Sequence, residues 1–232
     1  MKIQIILSLA LIPFMAISQR NASLELSAGP NFTGYTSNVL KGVGGRFNYD
    51  FGISAAMPMK NMNREWLVGM RFSAYGNQYL YSALTWPSQH NGNGGIDPNS
   101  PLVEQVSYSG QSSYYYMEFP MSLRQNLKAG IARLFVQASA GPSYFLKGRN
   151  ENTTIFDDGT FSNAISSENV DNFRKVNLFA GLSLGLEYPL GQKFSFQMLS
   201  HVQSQVLSIV EDTNNNSKWY AFGIRAGLRY QL

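Results

Sequence analysis

The feature that most constrains this chain is the alternation in its last fourteen residues, Trp219 to Leu232, which read WYAFGIRAGLRYQL. Every second residue is apolar, and these are Tyr220, Phe222, Ile224, Ala226, Leu228, Tyr230 and Leu232. Successive side chains of a strand point to opposite faces, so one face of this strand is apolar throughout. Soluble strands usually run about five or six residues, whereas a tilted strand of roughly twice that length crosses a bilayer. Because Tyr stands at both ends of the apolar face, as in an aromatic girdle, the stretch predicts a closing strand of a transmembrane β-barrel.

The same alternation recurs seven times earlier in the chain. The eight predicted strands are 22–35, 46–57, 65–79, 113–127, 132–147, 174–188, 193–209 and 219–232. An even strand number is typical of bacterial single-chain barrels. The sequence therefore predicts an all-β fold, an eight-stranded antiparallel up-and-down transmembrane β-barrel.

The N-terminal segment has the pattern of a secretory signal peptide. Lys2 precedes an apolar run over 3–14, and small residues follow at 16–18. We expect residues 1–18 to be a signal peptide cleaved after Ser18, and residues 19–232 to form one outer-membrane barrel domain. No later stretch approaches 18 consecutive apolar residues, which excludes an α-helical membrane protein. The absence of Cys excludes a disulfide scaffold.

The composition agrees with a wall that faces lipid. Only 14% of residues are charged, against about 25% in soluble domains, and 13% are aromatic. The net charge of +4 is not concentrated in any basic run and gives no reason to expect nucleic-acid binding. We expect an integral protein of the cell outer membrane, with membrane lipid as its surroundings.

Two long polar stretches interrupt the alternation, at 81–111 and 149–172. Both follow odd-numbered strands, while the connections after even-numbered strands are short. With the N-terminus in the periplasm, the long stretches become extracellular loops, which is the asymmetry of known barrels. Recognition often resides on loops held by a rigid scaffold. Aromatic residues in these loops, and Tyr79 at the end of the preceding strand, are candidates for contact with a protein or glycan partner; those in the loops are Tyr81, Trp86, Tyr108, Phe156 and Phe161. The alternative is a polar loop without a dedicated ligand.

The stretch YYYMEFPMSLRQNL, 114–127, resembles the PorT-like outer-membrane β-barrel family, through Tyr116, Glu118, Phe119 and Pro120. The following FVQASAGPSYFL, VNLFAGLSLGLEYPLGQKFSF and GIRAGLRY are similar to later strands of that family. The resemblance covers nearly the whole mature chain. It implies an eight-stranded Gram-negative outer-membrane barrel, and some members of the family take part in type IX secretion.

Charged residues recur at positions that face the lumen. They are Glu25, Arg46, Asp50, Arg71, Glu118, Arg124, Arg133, Lys175, Glu187, Arg225 and Arg229. The interior of an eight-stranded barrel is just wide enough to be filled by side chains, and isolated buried charges are costly. We expect these residues to pair into a network that plugs the lumen, with a proton or ion path as the alternative. Glu25 should meet Arg225 or Arg229, because the first and last strands of a closed barrel are neighbours.

His201 is the only histidine on a predicted strand, and some outer-membrane hydrolases use such a residue. Catalysis needs a nucleophile or a carboxylate hydrogen-bonded to the imidazole. Ser200 and Ser204 have the opposite, outward parity. His90 stands alone, and the Asp-Asp-Gly stretch at 157–159 lacks the spaced carboxylates of a calcium loop. We therefore expect no catalytic site, no cofactor and no metal.

The sequence favours a non-enzymatic outer-membrane barrel that serves as scaffold or partner in a cell-envelope assembly. By family resemblance that assembly is secretion-related. The alternatives are a small-solute pore and a membrane-embedded hydrolase that uses His201.

Overall fold

The computed structural model describes ten strands. The described residues are 22–36, 44–60, 63–84, 106–129, 131–155, 161–166, 173–210 and 216–232. The strands are β1 (Ser23–Thr36), β2 (Gly44–Pro58), β3 (Arg64–Leu84), β4 (Val106–Glu118), β5 (Met121–Ala129), β6 (Ala132–Ile155), β7 (Phe161–Ser166), β8 (Val176–Pro189), β9 (Phe194–Gln205) and β10 (Lys218–Gln231). No helix in these ranges is long and apolar enough to cross a membrane.

Eight antiparallel wall strands close into a ring. The order is β1, β2, β3, then β4 with β5, then β6, β8, β9 and β10, and β10 pairs with β1. We call the β1–β10 pairing the seam. Strands β4 and β5 act as one wall strand, since both pair with β3 and with β6. They are separated by Phe119 and Pro120, because proline has no N–H to donate to the ladder. The predicted eight-stranded barrel is confirmed.

The two ends of the barrel differ in their connections. We call one end the turn end; it holds Ser23, Gln231 and the short connections at 59–63, 130–131 and 190–193. The other is the loop end, which holds the connections that follow β1, β3, β6 and β9.

The predicted alternation sets the two faces of the wall. In β9 the exposure switches at every residue, so that His201 is buried and Val202 is exposed. Residues on the outer face are apolar and remain exposed, including Leu182 at 63% and Ile224 at 55%. Polar residues of the opposite parity fill the lumen. This arrangement, apolar outside and polar inside, is that of a barrel whose solvent is lipid.

The strands at the loop end are longer than the sequence predicted. The predicted loop 81–111 is strand at 81–84 and 106–111, and the predicted loop 149–172 contains the end of β6 and all of β7. β6 has 24 residues and spans roughly 80 Å, although about ten residues suffice to cross a bilayer. The prediction was wrong because a strand with polar residues on both faces has no hydrophobic period.

The extra lengths form a four-stranded extension that we call the rim sheet. It consists of residues 77–84 of β3, 106–113 of β4, 147–155 of β6 and 161–166 of β7. A bulge at Leu146 precedes it, since Tyr116 pairs with Phe145 and Tyr115 with Lys147. The bulge reverses the parity of β6, so Lys147 and the odd-numbered residues after it lie on the exterior face.

Candidate functional site: lumen and rim sheet

Five charged side chains meet in the lumen near the turn end, and we call them the turn-end cluster. They are Glu25, Glu65, Arg124, Glu187 and Arg229. Arg124 donates from Nη1 and Nη2 to the two carboxylate oxygens of Glu25, at 2.6 and 2.8 Å. Arg229 donates to both oxygens of Glu65 at 2.9 Å and lies 3.4 Å from Glu25 Oε1 and 3.3 Å from Glu187 Oε2. Arg124 Nη1 also lies 3.7 Å from Glu65 Oε2, so each arginine contacts more than one carboxylate, and each carboxylate comes from a different strand.

Neutral side chains complete the hydrogen bonding of the turn-end cluster. Gln197 donates at 3.2 Å to both Glu25 and Glu187, and Ser195 donates to Glu187 at 2.8 Å. The guanidinium of Arg124 also lies 4.2 Å from the centre of the Phe135 ring. Such extra partners are what offset the cost of burying ions.

A second group, the central cluster, lies deeper in the lumen. It consists of Asp50, Arg71, Glu118, His201 and Arg225. Arg225 donates to both oxygens of Asp50, at 2.5 and 3.0 Å. Arg71 donates to Glu118 Oε2 from Nε at 2.8 Å and from Nη2 at 2.6 Å. Both pairs are bidentate or forked arginine–carboxylate contacts, the strong class of ion pair.

Glu118 is fully buried and receives further donors. Ser73 Oγ donates to Oε2 at 2.9 Å, and the Tyr75 hydroxyl donates to Oε1 at 2.6 Å. Gln203 bridges the group, since its Oε1 accepts from Arg71 at 2.6 Å while its Nε2 donates to the Tyr75 hydroxyl. The Glu118-Phe119-Pro120 stretch thus places its carboxylate at the centre of the lumen.

An aromatic layer closes the lumen on the loop side of the central cluster. Its buried members are Tyr75, Tyr114, Tyr116, Ile209 and Trp219. Tyr114 and Tyr75 lie 5.2 and 6.0 Å from the Trp219 ring centre, and Phe145 and Phe173 pack against the layer from its edge. Two charged clusters and this layer occupy successive levels of the lumen.

Three of the expected lumen charges lie apart from both clusters. Arg133 is exposed near the start of β6, and Lys175 is exposed just before β8 begins. Arg46 lies toward the loop end, where its Nη1 donates to Ser113 Oγ at 2.7 Å. Conversely, Glu65 belongs to the turn-end cluster although the sequence reasoning omitted it. Its odd parity on β3, shared with Arg71, was the signal that could have found it.

His201 has a carboxylate nearby and lies opposite Ser183 in the β8–β9 register, but within the described ranges no hydroxyl is hydrogen-bonded to its ring. Its Nε2 lies 3.5 Å from Asp50 Oδ2, and neither ring nitrogen has a hydrogen-bond partner among the described residues. Asp50 is already held by Arg225 and by Asn31, whose amide donates at 3.1 Å. Ser200 and Ser204 donate instead to main-chain oxygens, those of Leu184 and of Trp219 among them. In the part of the chain that the structure describes, no three His, Cys, Asp or Glu side chains converge as metal ligands would.

The predicted loop aromatics that can be placed lie on strands of the rim sheet. Tyr81 of β3 pairs with Tyr108 of β4 in register, and the Tyr108 ring lies 5.8 Å from that of Tyr79. Phe161 begins β7 and is 69% exposed. Trp86 and Phe156 lie outside the described residues, as does the predicted signal peptide. The placement on loops was therefore wrong for Tyr81, Tyr108 and Phe161.

Comparison with known proteins finds similarity only to solved structures. No family model and no curated protein matches the chain. The chain is similar to Neisserial surface protein A, with 12% identity over 91% of this chain and 99% of that chain and a TM-score of 0.42. It is also similar to the outer membrane protease OmpT from Escherichia coli (10% identity, 93% and 98% covered, TM-score 0.42). Outer membrane protein OprG from Pseudomonas aeruginosa gives 12% identity, 92% and 97% covered, and a TM-score of 0.35. The fold assignment rests on the closed ring of strands described above.

Proposed function

We propose that this protein is a non-enzymatic, integral outer-membrane barrel that serves as a scaffold in a cell-envelope assembly. The observation that carries the proposal is the filled lumen. Ion pairs between strands that are not neighbours, such as Arg124–Glu25 and Arg229–Glu65, cross it, and the layer around Trp219 lies above them. A barrel without an open path has the outside of the molecule as its working surface.

The proposal includes the placement of the chain in the envelope. Residues 1–18 act as a signal peptide cleaved after Ser18, and the turn end faces the periplasm. The rim sheet then stands outside the cell, where β3 and β6 extend beyond the length that a bilayer requires. The resemblance to the PorT-like family adds that the assembly is secretion-related.

The two alternatives find less support in the geometry. A small-solute pore needs a continuous path, whereas the central cluster and the aromatic layer lie one above the other across the barrel. A hydrolase centred on His201 needs an activated nucleophile. Asp50 beside that imidazole is already paired with Arg225, and in the described part of the chain no hydroxyl is hydrogen-bonded to the ring.

Conductance in planar bilayers tests the sealed lumen. We expect the folded mature chain to give no single-channel steps at 100 mV, while a general porin reconstituted in the same way does. Steady steps of one size in most membranes would contradict the proposal and favour the pore.

A pull-down from native outer membranes tests the scaffold role. The tagged mature chain, extracted in mild detergent, should recover a stoichiometric envelope protein. The double variant Phe161→Ser/Ile165→Ser, which changes only exposed rim residues, should recover less of it if the rim is the contact surface. Recovery of the barrel alone, from cells that express it normally, would contradict the scaffold role.

A further inference from the structure

The exterior of β4 and β6 changes character in steps from the apolar band to the rim. Cross-strand pairs mark the steps, beginning with Met117 beside Tyr144 and then Tyr115 beside Lys147. Ser113 with Arg149, Gln111 with Glu151 and Ser109 with Thr153 follow. Paired residues of neighbouring strands share a face, so these five pairs form one ladder. From bottom to top it is apolar, then cationic, then polar and rich in hydrogen-bonding groups, among them the Glu151 carboxylate, which is contacted by Arg149 and Gln111.

The top of the ladder is concave. A cleft of about 720 Å³ opens there, within the range of about 300–1,000 Å³ typical of ligand pockets. Two rows of four side chains line it, each row crossing β3, β4, β6 and β7. The first row is Gln78, Gln111, Glu151 and Ile165, and the second row is Leu80, Ser109, Thr153 and Asn163.

The lining of the cleft suits sugar hydroxyls. Gln111 Nε2 donates to Glu151 Oε2 at 2.7 Å, and Thr153 Oγ1 donates to Asn163 Oδ1 at 2.9 Å. These hydrogen bonds hold the amide, hydroxyl and carboxylate groups of the lining in fixed positions. Leu80 and Ile165, both about two-thirds exposed, offer apolar surface beside these groups. Sugars present the same combination of hydroxyl groups and C–H faces.

The cations lie between the cleft and the apolar band. Lys147 Nζ lies 5.3 Å from the centre of the Tyr115 ring, at the level of the aromatic girdle. Arg149 Nη2 lies 2.8 Å from Glu151 Oε1, and half of the Arg149 side chain is exposed. The reversal of parity at Leu146 places both on the exterior face. Gln111 and Glu151 stand about 13 Å above the level of Lys147, at about 3.3 Å per residue.

We propose that this ladder binds a phosphorylated glycolipid of the surrounding leaflet. Its acyl chains lie against the apolar band, its phosphate meets Lys147 and Arg149, and its sugars enter the cleft. The order of chemistry along β4 and β6 matches the order along such a lipid. The inference rests on the proposed membrane placement, and it names a ligand for the rim that the scaffold proposal does not.

The test uses the folded full mature chain in mild detergent and four probes. They are rough lipopolysaccharide, which carries lipid A with core sugars, then lipid A alone, the released core oligosaccharide, and phosphatidylglycerol. Microscale thermophoresis gives the affinity for each. We expect rough lipopolysaccharide to bind most tightly and lipid A next. Released oligosaccharide and phosphatidylglycerol should bind at least tenfold more weakly than rough lipopolysaccharide.

Two double variants separate the two halves of the site. Lys147→Ser/Arg149→Ser should weaken both phosphorylated lipids about 25-fold, since each cation near a membrane surface contributes about fivefold. Gln111→Ala/Asn163→Ala should weaken rough lipopolysaccharide about tenfold, the scale of one or two hydrogen bonds, and leave lipid A unchanged. The matched control is Lys60→Ser/Lys193→Ser, which removes two exposed cations at the turn end and should change neither. Heat-dependent gel mobility verifies that every variant is folded.

Three results would overturn the inference. Equal affinity for phosphatidylglycerol would mean general attraction of anionic lipid, and equal affinity for the released oligosaccharide would mean a free glycan as ligand. An equal loss in the Lys60/Lys193 control would mean an effect of net charge. Conductance and pull-down experiments distinguish failure of the glycolipid inference from failure of the scaffold proposal. A sealed barrel that recovers its partner but shows no glycolipid preference overturns this inference alone. A barrel that conducts overturns the sealed scaffold, whatever it binds.

Discussion

The lumen and the rim sheet each contain an arginine–glutamate ion pair, and the two pairs differ in how deeply they are buried. Arg71–Glu118 in the lumen and Arg149–Glu151 on the rim have nearly equal contact distances, 2.6 and 2.8 Å. The Glu118 side chain is fully buried, whereas a third of the Glu151 side chain is exposed. Removing one member of a buried pair leaves an uncompensated charge, while water replaces the lost partner of an exposed pair. The burial of each pair, and not its contact distance, decides how much the pair contributes to the stability of the fold.

The largest expected difference comes from neutralising one carboxylate in each region. Glu118→Gln should lower the free energy of unfolding by about 3–5 kcal/mol, because Arg71 stays buried without its counter-ion. Glu151→Gln should lower it by less than about 1 kcal/mol. Urea unfolding of the barrel in lipid vesicles, followed by Trp fluorescence, measures both. Losses of equal size would remove the distinction between lumen and rim.

A charge placed on the exterior locates the boundary between the apolar band and the rim. Leu182 in β8 and Ile165 in β7 are 63% and 67% exposed, so they differ mainly in what surrounds them. Leu182→Arg should cost about 2–4 kcal/mol, as a cation near the bilayer midplane does. Ile165→Arg should cost less than about 0.5 kcal/mol if the rim stands in water. The same unfolding titration applies, and in detergent without a bilayer the difference between the two should shrink.

A tight backbone approach in the wall gives a smaller effect. A Cβ added to Gly141 would lie 2.1 Å from the carbonyl oxygen of Phe119, beside the interruption between β4 and β5. Gly141→Ala should cost about 1–3 kcal/mol, the scale of overpacking in a well-packed region. Gly191→Ala, in a short turn with nothing within 4 Å of the added Cβ, is the matched control and should be neutral. An unchanged free energy of unfolding for Gly141→Ala would show that the backbone shifts at this point to accommodate the methyl group.

The smallest effect on stability is expected at Phe161. The residue is mostly exposed at the start of β7, so Phe161→Ser should change the free energy of unfolding by less than about 0.5 kcal/mol. Recovery of the envelope partner in the pull-down should nevertheless fall. A large loss of stability with unchanged recovery would instead make the rim part of the folded core.

The comparison also explains what could be predicted from sequence. In the wall, lipid outside and a polar lumen inside make apolar and polar residues alternate along each strand. This alternation was enough to predict which side chains of β9 and β10 face outward and which face the lumen. The alternation continues past Pro120, although this residue divides the wall strand into β4 and β5. Met121 and Leu123 face outward, and Ser122 and Arg124 face the lumen.

The rim lacked any such pattern. In β7 the sequence FSNAIS leaves all six residues exposed, so no face was marked as buried. The bulge at Leu146 inserts a single residue between Phe145 and Lys147, where the apolar alternation ends, so no later apolar residues reveal the change of parity. The partners within the lumen were equally hidden, because Glu25 meets Arg124 from across the barrel as well as Arg229 from the adjacent strand. Parity assigns residues to the lumen, but only the curvature and stagger of the ring decide which of them meet.

The seam between β1 and β10 has a consequence for how the protein is assembled. Asp50 on β2 finds Arg225 on β10, and Glu65 on β3 finds Arg229, so both ion pairs join opposite ends of the chain across the seam. Before the last strand docks, the carboxylates of Asp50 and Glu65 face the lumen without these two arginines. Closure of the barrel and neutralisation of its interior are therefore one event. A partly inserted chain gains little until β10 arrives, which makes assembly cooperative and gives the final strand control over whether the barrel forms at all.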